Sequence, residues 1–185
     1  MSVAQSICFL VLRSALFLGI ALAFSACDGY RDDNPSTHDD TRPWDFAPND
    51  TDTRTDEDLS EAQGVFSLTN EYRAANGLSP LIWNSQLASA AQDFAERMAN
   101  EGFFDHTSPD GVTVGERITS AGYDWRTYGE NIAYGYSTPE ATMQGWINSS
   151  GHRANILGQG YKDLGVGYAR SKSGTGYWVQ DFGAQ

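Results

Sequence analysis

Apolar positions along the chain change character twice. From Ile7 to Phe24 they are almost continuous, from Asp28 to Leu59 they nearly vanish, and from Ser60 onward they recur at the spacings of helices and strands. In that last region "EAQGVFSLTNEYRAANG" sets Val65, Leu68, Tyr72 and Ala75 at helical spacing, with Gly77 as the stop. Asn84 then stands as an N-cap before "SQLASAAQDFAERMANEG", whose Leu87, Ala91, Phe94 and Met98 share one face and whose Gly102 ends it. A shorter helix is expected in "VTVGERITSAG" from Val114, Ile118 and Ala121, closed by Gly122. A fourth starts at Thr138, with Pro139 at the first helical position and Met143, Trp146 and Ile147 as its inner stripe. The segments "LSPLIW" and "SSGHRANIL" read as turns.

Period-two patterning gathers near the C-terminus, where "LGVGYARS" and "YWVQDFG" flank the Gly-rich turn "KSGTG". Leu164, Val166 and Tyr168 alternate there with Gly165, Gly167 and Ala169, leaving one face almost bare and open to a close helix. "NIAYG" after Glu130 supplies a further strand. Helices before and between three or four strands predict an α+β fold, a three-layer α-β-α sandwich over residues 60–185.

The two preceding regions read as processing and tether. Residues 1–27 have the basic-then-apolar order of a signal peptide, and the apolar run after Arg13 is short for a membrane span. "ALA" ending at Ala23 suits ordinary signal peptidase and free secretion. "FSAC" ending at Cys27 resembles a bacterial lipoprotein box, with Phe24 standing where an aliphatic residue is usual. The second reading is preferred, so that Cys27 carries acyl chains, the protein is membrane-anchored outside the cytoplasm, and residues 28–59 form a disordered acidic linker. His38 belongs to that linker and takes no role in a site, while Trp44 is placed to touch a partner.

Charge narrows the partners. The linker holds eleven acids against three arginines, and the remainder from Ser60 thirteen acids against eight bases, which gives −8 and −5. An acidic chain without a basic patch excludes nucleic acid as a partner. Cys8 and Cys27 both lie in the first region, so residues 60–185 contain neither a disulfide nor a thiol nucleophile.

The candidate chemistry lies at element ends. His106 precedes "SPDG", which fits a type I turn that pins it; Glu116 lies in "VGER", Glu130 in "YGEN" and His152 in "SGHR". Their separations match no local ligand motif such as HExxH, so spacing leaves their convergence open. Asn131 and Arg153 are expected to bind backbone carbonyls or acids rather than substrate. Trp83, Trp146 and Trp178 are expected in the core. Ser108, Ser149 and Ser150 neighbour the histidines without the strand-turn-helix elbow of a serine nucleophile.

"FFDHTSPDG", "GENIA" and "SSGHRANIL", preceded by "LTNEYRAANGLSPLIW" and followed by "LGVGYA" and "WVQDFG", resemble in order the bacterial SCP-like members of the CAP superfamily. That superfamily takes in cysteine-rich secretory proteins, antigen 5 and plant pathogenesis-related 1 proteins. The resemblance implies an α-β-α sandwich with a cleft holding His106, Glu116, Glu130 and His152, of which Glu116 has the most variable surroundings. The disulfides and cysteine-rich extension of animal members are missing, so the ion-channel activity associated with that extension is not carried over. Two neutral imidazoles and two carboxylates match a divalent cation, zinc before magnesium, with all four residues as ligands. The alternative is that the four groups hydrogen-bond one another and fix the surrounding loops. The functional expectation is a binding module for a lipid, glycan or cell-wall ligand. A metal-dependent, protease-like hydrolase using the same cleft is the second reading, and a structural interaction protein with a relict site the third.

Overall fold

The computed structural model describes residues 55–185. Cys8, Ala23, Cys27, His38 and Trp44, and with them the expected signal peptide, the expected lipid anchor and most of the expected linker, lie outside the described residues. Among the described residues no helix is long and apolar enough to cross a membrane.

Helix α1 runs Asp56–Ala75, and so begins inside the stretch expected to be linker. Thr55 explains the early start, because it forms a capping box with Asp58, and Asp56, Glu57 and Asp58 place negative charge at the positive end of the helix dipole. Its buried line is Ala62, Val65, Thr69 and Arg73, with Leu68 and Tyr72 half-buried and Ala75 exposed. The inner face is thus rotated from the expected stripe and carries two polar residues. Strand β1 is Ile82–Trp83, where a turn was expected. Helix α2, Ser85–Glu101, has the expected Asn84 cap and ends at Gly102 in the left-handed region, φ 73°.

Helix α3 is Val114–Ser120, and strand β2 is Thr127–Tyr134, longer than the expected "NIAYG". Helix α4 is Pro139–Asn148, with Thr138 as its cap. Residues expected as a turn form helix α5, Ser150–Ile156, and the hairpin of β3, Asp163–Arg170, and β4, Gly176–Ala184, completes the chain.

The sheet order is β1-β3-β4-β2, with β1 parallel to β3 and the other pairs antiparallel. Register puts Glu130, Asp181 and Gly165 side by side on one face, followed by Ile132, Val179 and Gly167. Helix α2 lies on this face: a Cβ built on Gly165 would stand 2.1 Å from the Ala88 nitrogen, and one on Gly167 2.3 Å from the Gln92 nitrogen. The bare face of β3 is therefore what seats α2. On the opposite face Leu164, Val166, Tyr168, Trp178 and Phe182 pack with Val65 of α1 and Met143 and Trp146 of α4. Trp146 and Trp178 are fully buried and Trp83 half-buried against that core, as expected.

Strand β2 is an outer strand, a position that leaves backbone carbonyls without a ladder partner. Side chains take them up: Trp146 Nε1 donates to Ile132 O at 3.1 Å, Asn155 Nδ2 to Glu130 O at 3.0 Å, and Tyr161 Oη to Tyr128 O at 3.3 Å. The same contacts bring α4 and α5 up to the edge where the histidines lie.

Candidate functional site

His106 sits in the loop from α2 to α3. The expected turn follows it, with Gly111 N donating to Ser108 O at 2.8 Å, Gly111 at φ 89°, and the buried Ser108 hydroxyl donating to Asp110 Oδ1 at 2.5 Å. Arg117, one turn into α3, reaches back and donates from Nη1 to His106 O at 2.9 Å. The His106 carbonyl is thus held by α3 while its imidazole remains about half exposed, at 53%.

Glu130 lies under that imidazole with its side chain 2% exposed. Its Oε1 meets His106 Nδ1 at 2.6 Å, and its Oε2 takes Arg117 Nη2. The Arg117 guanidinium stacks 3.3 Å from the Phe94 ring centroid, a cation–π contact supplied by α2. His106 Nδ1 serves as donor to the carboxylate, which leaves Nε2 as the other ring nitrogen. The hydrogen bond to Glu130 raises the His106 pKa above 6.5, against an opposing effect of burial.

Asp181 completes the centre from β4. It is fully buried, opposite Glu130 in register, and neither carboxyl oxygen meets an N–H or hydroxyl donor. Burial first, and the adjacent Glu130 second, push its pKa well above the ordinary 3.8. Both causes favour the protonated form of Asp181, since a second ionised carboxyl beside Glu130 would be costly out of water.

His152 comes from α5. A buried polar chain fixes that short helix: Thr69 accepts from Gln180 at 2.7 Å, Gln180 Oε1 accepts from Asn131 at 3.1 Å, and Asn131 Nδ2 also donates to His152 O at 3.1 Å. Arg73, from α1, donates to Ile156 O and Gly158 O at 2.7 and 2.9 Å and so clamps the C-terminal end of α5. Asn131 and Arg153 both bind carbonyls as expected, Arg153 donating to Ile147 O at 2.6 Å. Burial lowers the His152 pKa below 6.5, and the charge of His106 adds to that.

Glu116 does not join the other three. It is exposed, and its Oε2 accepts from Thr113 N and Oγ1, both at 2.8 Å, closing the capping box of α3. It lies instead in a separate shallow groove with Trp125 and Tyr128. An acid three residues after Thr113 has a local partner, and this outcompetes a distant cleft.

The structure therefore brings together His106, Glu130 and His152 and adds Arg117 and Asp181, which the motif reading did not include. This donor set does not fit a four-ligand metal centre. Both Glu130 oxygens are committed, Glu116 is elsewhere, and among the described residues no group of three or more His, Cys, Asp or Glu side chains converges on a metal position. The arrangement is closer to the alternative in which the polar groups bond one another.

Above the centre a cavity of about 530 Å³ opens beside β2. His106 and His152 line it, together with the aromatic side chains Phe104, Tyr134, Tyr136 and Trp146 and the Ser149 hydroxyl. Phe104 and Tyr134 are exposed, with ring centroids 4.6 Å apart. Gly145 leaves room for Tyr136, whose hydroxyl would lie 2.6 Å from a Cβ there. Two imidazoles among aromatic rings supply polar groups at fixed points within an apolar wall.

An α-β-α sandwich with a paired-histidine cavity along its outer strand defines an SCP-type domain. The chain belongs to the Cysteine-rich secretory protein family, CAP, whose family model matches residues 66–182. Over 118 residues it is 40% identical to YkwD, an uncharacterized protein of Bacillus subtilis (strain 168), a match spanning 64% of this chain and 45% of YkwD. It is 37% identical over 123 residues to YlbC, an uncharacterized membrane protein of the same organism, spanning 66% of this chain and 34% of YlbC. The crystal structure of an extracellular protein containing a SCP domain from Bacillus anthracis str. Ames superposes with TM-score 0.65 at 34% identity, covering 69% of this chain and 41% of that one. The matched region is less than half the length of each of these relatives.

Proposed function

We propose that the protein is an extracytoplasmic binding module whose cavity takes an amphipathic ligand, a glycan or lipid with an apolar face and hydroxyl or phosphate groups. The observation that carries this reading is the cavity itself. Exposed rings at Phe104, Tyr134 and Tyr136 offer flat apolar surface, and His106 and His152 offer hydrogen bonds at its side. Sugar rings and acyl chains both present C–H faces that stack on aromatic walls, and both carry polar groups within reach of an imidazole. The location is supported by the likeness to an extracellular SCP-domain protein and to a protein described as a membrane protein. The "FSAC" segment adds acylation at Cys27, with the acidic linker as spacer.

A metal-dependent hydrolase gains no support from the side chains, because Glu130 is occupied on both oxygens. The test is a titration of the isotopically labelled protein with two soluble probes, a peptidoglycan disaccharide-peptide and a lysophospholipid below its micellar concentration. Saturable shifts of the His106 and His152 ring signals with one probe identify the source of the ligand. Binding of neither, or binding that leaves both imidazoles unmoved, refutes the proposal.

A further inference from the structure

The polar centre beneath the cavity is built around a cation that belongs to the chain. Glu130 and Asp181 bring two carboxyl groups to one buried point of the sheet, an arrangement that elsewhere calls for a metal ion. Here the positive charge comes from α3. Arg117, its side chain 10% exposed, binds Glu130 Oε2, seats its guanidinium on the Phe94 ring, and anchors the carbonyl of His106. One side chain neutralises the carboxylate, orients the loop that carries the histidine, and fills the space over Phe94.

We propose that Arg117 is the resident counter-ion of this centre, supplying the charge that a divalent cation would bring, and that the paired histidines therefore work without metal. The donor count agrees. With Glu130 held by Arg117 and by His106 Nδ1, and Glu116 capping α3, an ion in the cavity would find the Nε2 side of His106 and the ring of His152. Structural zinc sites use four protein ligands and catalytic ones three. Charge agrees as well, since a guanidinium is never deprotonated in a protein and its place cannot be vacated by pH.

The Arg117–Glu130 pair holds Nδ1 of His106, so that the cavity is offered the other ring nitrogen and the ring of His152, fewer protein ligands than the three or four of a zinc site. That suits recognition of a hydroxyl or phosphate by hydrogen bonding.

The test uses the full mature chain and zinc alone as probe, followed by thermal melting and by the ring nitrogen signals of the histidines, with a chelated sample as reference. A site of micromolar affinity at a hundredfold excess of zinc would raise Tm by roughly 10 °C for a domain of this size. The expectation for the wild type is a change below about 1 °C and unshifted signals for both histidines. Arg117→Met releases Glu130 and is expected to make Tm respond to zinc, whereas Arg117→Lys keeps a cation there and is expected to stay indifferent. A stoichiometric zinc response of the wild type, or equal responses of Arg117→Met and Arg117→Lys, overturns the proposal. Should Arg117→Met fail to fold, a zinc-dependent shift of either histidine ring signal in the wild type or in Arg117→Lys still overturns the proposal. The ligand experiments on the cavity are independent, so either result can fail without the other.

Discussion

Replacing Gly165 or Gly167 by alanine adds one methyl group to the centre of β3, and the structure shows what it would strike. At Gly165 the new carbon would lie 2.1 Å from Ala88 N and Leu87 C, and at Gly167 2.3 Å from Ala91 C and Gln92 N. Carbon atoms in contact rest about 3.5–4.0 Å apart, so the overlap is about 1.5 Å. The atoms met are helix backbone and cannot rotate away. The whole of α2 must retreat, or β3 must buckle, and either loosens Leu87, Ala91, Phe94 and Met98, all buried. Overpacking of flexible cores costs about 1–3 kcal/mol, and a rigid backbone places this one at about 3 kcal/mol or more. That lowers Tm by roughly 10 °C in a domain of this size. Gly151 is the control, since a methyl group there, within α5, meets nothing within 4 Å. Gly151→Ala is expected to be neutral or to stabilise by about 0.5–1 kcal/mol. Urea unfolding followed by far-UV circular dichroism measures all three. If Gly165→Ala and Gly167→Ala both fall within about 0.5 kcal/mol of wild type, the close seating of α2 on β3 is wrong, and with it the placement of Phe94 beneath Arg117.

Three further outcomes follow from named contacts. In an NMR titration His106 is expected to lose its proton above pH 6.5 and His152 below it. The His106 contribution to stability is then fully present below its unfolded value and fades as pH rises through the folded one, whereas His152 costs stability as pH falls below about 6.5. Glu130→Gln should draw His106 back toward 6.5, and an unmoved titration would sink the assignment. Arg73→Ala strips the donors from the carbonyls of Ser79, Ile156 and Gly158 and is expected to cost about 3 kcal/mol, with α5 amides losing exchange protection first; unchanged protection in α5 would count against the clamp. Glu116→Ala should weaken the α3 capping box, seen as faster amide exchange in the first turn of α3, and leave the histidine signals in place, whereas a large shift of either ring would return Glu116 to the site.

Much of the architecture is written in local patterns. The Asn84 cap, the Gly102 stop and the Leu87-to-Met98 stripe specify α2 without reference to the rest of the chain, and the alternating glycines of "LGVGYA" announce a face waiting for a helix. His106, Glu130 and His152 are visible as a family motif. Helix α5 is not, because seven residues with a glycine inside and no apolar stripe lack a helical signal; Arg73 and Asn131, each far away in the chain, hold it. The start of α1 was hidden by acidic composition that also fits a linker, although the Thr55–Asp58 capping box was there to be read.

The centre of the site was the least legible part. Alternation in "YWVQDFG" places Asp181 on the same side as Val179, an acid on an inward-facing position, which was the available hint. Which residue neutralises a buried carboxyl depends on what folds over it, and two glutamates of similar sequence standing, 116 and 130, met opposite fates. Glu116 found its own helix terminus three residues away, while Glu130 was carried by the sheet beneath Arg117 and His106. Composition and periodicity settle which segments coil or extend, since those preferences act over a few residues. Partnerships among charges are decided by packing, because a buried ion takes whatever compensating group the tertiary arrangement brings within a few ångströms.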